Sequence, residues 1–203
     1  MGITKWLPMF SLLLLTALAG CGEDRPPEAR LLPPVDDAVI IVLEAEGGTF
    51  EPAMTVEDFA ECTHPEAGLQ EASGGRCIAV PKDANKADKD NPKGRLVLKF
   101  TVPKDGTYYV HPRVWWKDGC GNTLGMAVDN SAPLLVTDST YEVWHWVKLN
   151  PDDFKSTAPR PFKLKKGAHT ITFSNREDDV KLDQVYITND PDDRPAGVMR
   201  TPE

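Results

Sequence analysis

The stretch RLVLKFTVPKDGTYYVHPRVWW, residues 95–116, decides the fold of this chain. Its first eight residues alternate, so that Leu96, Leu98, Phe100 and Val102 share one face of a predicted strand. Residues 103–106 form a turn with proline and glycine in place, and residues 107–116 are the predicted return strand. The segment therefore predicts two consecutive β-strands, the first with one face turned towards a core.

Comparable runs occur on both sides of this stretch. We predict further strands at residues 39–46, 76–80, 124–129, 141–149, 162–164, 169–174 and 182–188. Helix is scarce, with one turn predicted at residues 55–60, where Thr55 is the N-cap and Asp58 the third position. About nine strands in one domain of some 150 residues predict an all-β fold, a jelly-roll β-sandwich.

The first 20 residues read as a processing segment that is not part of the fold. Lys5 is followed by a short apolar run at residues 6–17, which is shorter than the roughly 20 residues of a spanning helix. Leu18-Ala19-Gly20-Cys21 resembles the lipobox of bacterial lipoproteins. The resemblance implies a lipoprotein signal peptide at 1–20 and lipidation of Cys21, giving a lipid membrane anchor. An ordinary secretory signal with an incidental Cys21 is the alternative.

Residues 21–37 predict a flexible tether, because four prolines and alternating charge leave little apolar surface to bury. The β-sandwich domain is predicted at 38–190, and residues 191–203 form a C-terminal tail. Gly22 follows the lipidated cysteine where aspartate would commonly signal inner-membrane retention. The resemblance to lipoproteins therefore implies location in the cell envelope, at the outer membrane in a Gram-negative host.

The chain is acidic, with 31 acidic and 23 basic residues and a net charge of −8. An acidic surface argues against nucleic acid as a partner and against flat contact with anionic lipid. Three cysteines remain besides Cys21, so one disulfide is expected in an oxidising compartment. We favour Cys62 with Cys77, which flank a short glycine-containing loop, although Cys120 is an alternative partner for either.

Several segments together resemble the galactose-binding-like β-sandwich of carbohydrate-binding module families 6 and 35. They are Glu44-Ala45-Glu46, the turn VPKDGTYY leading to Arg113, the run KKGAHTI, and Leu182-Asp183-Gln184-Val185. The resemblance covers most of residues 40–189 and implies a non-catalytic module that binds glycans. An asparagine that contacts sugar in many family 6 modules is replaced here by Lys181.

Alternation along the first strand would place Glu44 and Glu46 on the same side, where two carboxylates repel unless a cation neutralises them. The resemblance implies that these residues and Asp183 hold a structural calcium ion, for which oxygen ligands are suitable. A solvated acidic strand end, paired with Lys181, is the alternative.

The predicted ligand site is a shallow groove between the loop after residue 116 and the turn before the last strand. Its residues are Trp116, Asp118, Asn122, Arg176, Glu177 and Lys181. Trp116 would stack on a sugar ring, and the two basic residues would favour an acidic sugar. Alternatively the tryptophans are core residues, Asp118 and Asn122 suit turns, and Arg176 pairs with Glu177.

No hydrolase, zinc-protease or phosphate-loop motif occurs, and the four histidines lie beside no obvious nucleophile, so we do not expect an enzyme. Two hypotheses follow. The first is a carbohydrate-binding lipoprotein that displays a β-sandwich at the cell envelope. The second is a structural or protein-interaction lipoprotein that uses the same fold without affinity for sugar.

Overall fold

The computed structural model describes residues 37–58, 72–85, 92–150 and 158–200, all within the compact unit Val35–Glu203. The predicted signal peptide, most of the tether and Cys62 lie outside these ranges. The strands in chain order are β1 (Ile40–Glu44), β2 (Thr49–Glu51), β3 (Thr55–Asp58), β4 (Arg76–Val80), β5 (Arg95–Val102), β6 (Gly106–Trp116), β7 (Thr123–Val128), β8 (Leu134–Thr137), β9 (His145–Trp146), β10 (Phe162–Leu164), β11 (Gly167–Asn175) and β12 (Val180–Thr188).

Two antiparallel sheets form the β-sandwich. One has seven strands in the order β10-β6-β12-β4-β3, with β1 also paired to β12 and β9 to β6. The other has five strands in the order β2-β5-β11-β7-β8. The predicted all-β sandwich is confirmed. The turn at residues 103–106 carries the chain from one sheet to the other, so β6 is not a pairing partner of β5, as a return strand would be.

The core lies between the sheets. Alternate residues of β5 and β6 enter it, including Leu96, Leu98, Val114 and Trp116. Burial of this continuous apolar layer is the main favourable term in folding. Among the described residues, no helix is long and apolar enough to cross a bilayer.

Three local predictions are wrong. Residues 55–58 form strand β3, paired with β4, where we predicted a helical turn. Only His145 and Trp146 are in a strand within the run 141–149. The first strand ends at Glu44 and is followed by a 3-10 turn at Ala45–Gly47. Glu44 and Glu46 therefore do not follow the alternation of one strand, although they lie close enough for their charges to interact.

Candidate functional site

A β-bulge on β12 changes which side chains face the core. The register with β6 shifts between Leu182 and Gln184, so Asp183 is the extra residue. Leu182, Val185 and Ile187 are in the core, a spacing that strict alternation does not give. The bulge thereby places Gln184 beside Asp183 on the outer face of the seven-stranded sheet, and bulges often re-aim side chains in this way near functional sites.

This outer face carries a buried layer of charge. Arg113 donates a hydrogen bond to Asp183, whose other oxygen accepts one from the Ser73 backbone N–H at 2.9 Å. Lys181 pairs with Glu57 on β3. Each ion in the pair Arg113–Asp183 is at most 5% exposed, so each would be costly without its partner.

Two tryptophans cover this charged layer. Trp115 and Trp144 form a small buried cluster with Ala72 and Cys77, separate from the main core. The Arg113 guanidinium lies 5.3 Å from the ring centre of Trp144, and Lys181 Nζ lies 5.8 Å from that of Trp115. Both distances suit cation–π attraction. Trp115 and Trp116 do face opposite sides of β6, but both are buried.

The three predicted calcium ligands converge only in part. Glu44 and Asp183 both act on Glu46 electrostatically, and burial together with these charges raises the pKa of Glu46. Glu46 Oε2 is buried without a hydrogen-bond partner. Glu44 Oε1, however, accepts bonds from Gln184 and Ser73, and both oxygens of Asp183 are engaged.

Burial raises the pKa of Asp183 to about 6, with Arg113 and the Ser73 N–H opposing the shift. Within the described ranges, no group of three or more His, Cys, Asp or Glu side chains is arranged to hold a metal ion. Of the three predicted calcium ligands, all of them described residues, only Glu46 has a buried oxygen without a hydrogen-bond partner, and calcium binding stays a prediction.

The loop after β6 and the turn before β12 meet at one end of the sandwich. The Asn122 backbone N–H donates to Glu177 Oε2 at 2.9 Å. A methyl group at Gly121 would lie 2.7 Å from the Asp178 carbonyl oxygen, so the two segments are in close contact and glycine is required there. The structure therefore brings together Asn122 and Glu177, two of the six predicted ligand residues. We call this end, formed by residues 117–122, 138–142 and 176–179, the loop end.

A third segment completes the loop end. The Asn122 side-chain amide donates to the Asp138 carbonyl oxygen at 2.6 Å, and the Glu142 N–H donates to the Trp116 carbonyl oxygen at 2.8 Å. Asp138 also holds His145, whose Nε2 lies 3.0 Å from its Oδ1. These contacts place residues 138–142 beside the loop that follows β6.

The predicted roles of Trp116 and Lys181 are wrong in this structure. Trp116 has no exposed surface and belongs to the core, so it cannot stack on a ligand. Lys181 is buried against Glu57 and Trp115 and does not border a groove. Asp118 is exposed and accepts a bond from the Cys120 N–H at 2.8 Å, which is the turn geometry weighed as its alternative. Arg176 is exposed at the loop end.

Tyr141 lies at the loop end and was not among the predicted ligand residues. It is 40% exposed, and its hydroxyl would lie 3.5 Å from a methyl group at Gly119. Beside it, Lys117 Nζ and Glu142 Oε1 form an ion pair at 2.6 Å. Tyr141 was assigned to a strand, and its exposure follows from the loop that residues 138–142 form instead. The signal for this residue in the sequence was an aromatic side chain between two polar residues, Thr140 and Glu142.

The cysteines differ in exposure. Cys77 is buried and forms no disulfide with another described cysteine, and burial raises the pKa of its thiol strongly. Cys120 is a free thiol exposed at the loop end. Since Cys62 lies outside the described residues, its pairing with Cys77 stays a prediction.

Solved structures share this β-sandwich. The chain matches a GH26-CBM35 β-(1,4)-mannanase from Podospora anserina with a TM-score of 0.52 and 15% identity, over 77% of this chain and 28% of that one. It matches an exo-β-1,3-galactanase from Phanerochaete chrysosporium, solved with β-1,3-galactotriose, with a TM-score of 0.50 and 18% identity, over 73% and 29%. A family 35 carbohydrate-binding module from Clostridium thermocellum matches with a TM-score of 0.49 and 16% identity, over 72% and 97%.

The chain spans less than a third of each of the two enzymes. No protein-family model matches the sequence, and no curated protein matches it. At these identities the likeness shows the fold alone: the chain is a β-sandwich like the part that it matches in the mannanase and galactanase structures. The predicted resemblance is therefore confirmed as a resemblance of fold.

Proposed function

We propose that this protein is a non-catalytic carbohydrate-binding lipoprotein that displays its β-sandwich at the cell envelope. The observation that carries the proposal is Tyr141, an exposed aromatic ring at an end where three loops converge on a sandwich of the carbohydrate-binding-module kind. Aromatic rings present a flat apolar surface, and neighbouring polar groups supply hydrogen bonds. Tyr141 takes the stacking role that we had assigned to Trp116.

The polar groups around Tyr141 suit hydroxyl recognition. Asp118 is exposed beside it, and the ion pair Lys117–Glu142 is largely open to solvent. Hydrogen bonds and stacking of about 1 kcal/mol each give affinities in the micromolar to millimolar range. Such a site recognises one or two sugar rings at its surface.

The charge of the loop end favours a neutral glycan over the acidic sugar expected from sequence. That expectation depended on Lys181, which is buried and paired. The remaining bases, Lys117 and Arg176, are outnumbered by acids at positions 118, 138, 142, 177, 178 and 179. A uronate would meet net repulsion there.

A glycan array followed by titration calorimetry tests the proposal with the full chain. Tyr141→Ala should weaken binding of any array hit about fivefold or more, because a contact of about 1 kcal/mol is lost. Phe50→Ala is the matched control: Phe50 is 38% exposed but lies on β2, in the other sheet. An array without hits, or equal losses in both variants, overturns the sugar site.

The second candidate is a structural or protein-interaction envelope lipoprotein. Burial of both Trp115 and Trp116 favours it, because the ring predicted to stack on a sugar, Trp116, is in the core and its neighbour does not replace it at the surface. An empty array combined with a specific protein partner would establish this second function.

The anchor is a separate part of the proposal and depends on the sequence around Cys21. Cys21→Ala should abolish lipidation and leave the protein uncut or soluble. Membrane fractionation with detection of the lipid-modified N-terminal peptide measures this. If the variant partitions into membranes like the parent, the lipoprotein proposal is wrong.

Calcium completes the proposal as a structural ion near Glu46. Its free buried Oε2 supports a cation at this position, with Glu44 as the neighbouring carboxylate. Calcium would supply charge neutralisation where the two acids and Asp183 otherwise repel one another.

A further inference from the structure

The last described segment of the chain, residues 190–200, crosses the outer face of the seven-stranded sheet. Gln184 holds Met199 by two bonds to its backbone, at 2.8 Å from the side-chain amide and 3.0 Å to the side-chain oxygen. Trp146 Nε1 donates to the Gly197 carbonyl oxygen at 3.0 Å. The Tyr186 hydroxyl donates to the carboxylate of Asp193. We call residues 190–200 the strap.

Polar contacts, and few apolar ones, hold the strap. None of its residues belongs to either buried hydrophobic cluster of the described chain. It forms no strand, and Val198, its largest aliphatic side chain besides Met199, is 43% exposed. Segments with few buried apolar contacts open locally at low free energy. The strap is therefore the kind of element that can leave while the sandwich stays folded.

The surface under the strap is built for polar recognition. Gln184 is fully buried, Tyr186 is 1% exposed and His111 is 3% exposed. His111 Nε2 has no hydrogen-bond partner, which is uncommon for a buried ring nitrogen. The rings of Trp146 and Tyr186 meet edge to face, with centres 6.1 Å apart. If the strap only had to shield this sheet face from water, apolar side chains would be enough, and these polar groups would not be needed beneath it.

We propose that this face is a docking site for a peptide that carries a carboxylate four residues before a glycine, and that the strap occupies it in cis. The partner is another polypeptide that has the same spacing of carboxylate and glycine. This goes beyond glycan binding, since it uses a different surface and a different class of ligand.

The contacts define the ligand. Gln184 and Trp146 read main-chain atoms, so side chains at most strap positions are free to vary. Asp193 is the residue read by its side chain, through Tyr186. Gly197 has a φ of +61°, a left-handed conformation that glycine adopts without strain. Two-point amide bonding to a backbone and an aromatic N–H to a carbonyl are contacts typical of peptide-binding surfaces.

A labelled synthetic peptide, DPDDRPAGVMRTPE from residues 190–203, tests the site in trans by fluorescence polarisation with the purified full chain. The parent should bind it weakly, because its own strap competes. Gly197→Val in the chain disfavours the strap by forcing valine into left-handed backbone. That variant should bind the unaltered peptide about tenfold more tightly or better, since a larger fraction is open.

Gly74→Val is the control matched in strain, because Gly74 has a φ of +60° with open space around it and lies outside the strap. It should bind the peptide like the parent. Asp193→Asn gives a second route to an open strap should Gly197→Val fold poorly. Adding Gln184→Ala to either open variant should abolish binding. Absence of binding to folded open variants, or binding that persists without Gln184, overturns the proposal and makes the strap a fixed part of the fold.

Discussion

Arg113 donates a hydrogen bond from Nη1 to Oδ2 of Asp183, and both side chains are almost completely buried on the outer face of the seven-stranded sheet. Asp183 follows the core residue Leu182, so alternation points its carboxylate to the outer face beside the arginine, and the bulge places Gln184 next to it on the same face. The chain thereby supplies its own cation to one of three neighbouring carboxylates. Within the part of the chain that the structure describes, neither Glu44 nor Glu46 forms an ion pair with a basic side chain.

Arg113→Met should destabilise the protein by about 3–5 kcal/mol, because it leaves the Asp183 carboxylate buried and uncompensated. Urea denaturation measures the change. The double variant Arg113→Met, Asp183→Asn should recover most of the loss, since asparagine still accepts the Ser73 N–H but carries no charge. Lys165→Met removes an exposed pair with Asp105 and should leave the midpoint unchanged. No recovery in the double variant would contradict a charge-based explanation.

The contribution of His111 to the free energy of unfolding should fall as the pH drops from about 6.5 to about 4. Burial lowers the pKa of His111 to about 4, with Arg194 and Lys148 adding to the shift and Asp193 opposing it. In the unfolded chain His111 therefore takes up a proton near pH 6.5, whereas in the native chain it does so only near pH 4. The loss approaches about 3 kcal/mol at the lower limit.

The control for this pH dependence is His111→Gln, which cannot titrate. The raised pKa of Asp183 acts in the opposite direction, because the native carboxyl takes up its proton before the unfolded one does. Both proteins share the Asp183 contribution, so it cancels when the free energy of unfolding of the variant is subtracted from that of the parent. Urea midpoints for both proteins from pH 4 to pH 7.5 should converge at acid pH. Parallel curves would show that His111 is solvated.

The sandwich was predictable because its strands carry a local signal, whereas the site depends on contacts between distant segments. Alternation at residues 95–102 and the turn that precedes residues 107–116 predicted the bounds of β5 and β6 to within one residue. No local pattern indicates the bulge at Asp183, which exists because β12 pairs with β6. The burial of Lys181 likewise requires Glu57, 124 residues earlier. Short strands such as β2, with Phe50, are too brief for periodicity to detect.

Thiol labelling should separate the two described cysteines. Cys120 is exposed and should react with a maleimide in the native state, whereas Cys77 is buried with a raised pKa and should be protected. After denaturation without reductant, Cys77 should remain unlabelled if the predicted bridge to Cys62 exists. Non-reducing peptide mapping then identifies the pair. A crosslink that contains Cys120 would overturn our choice of pairing.

Glu46 distinguishes a calcium site from a merely strained acidic cluster. Burial and repulsion from Glu44 and Asp183 raise its pKa, so ionised Glu46 is a cost to the metal-free fold. Glu46→Gln should therefore melt at or above the parent's temperature in chelator. A calcium ion that binds only the folded state adds about 1.4 kcal/mol per tenfold concentration above its Kd, so the parent should gain stability on titration and Glu46→Gln should not. Glu177→Gln, at the loop end, should respond like the parent. If the parent melts identically in chelator and in calcium, the site holds no calcium, and Glu46 keeps a buried oxygen without a bound cation.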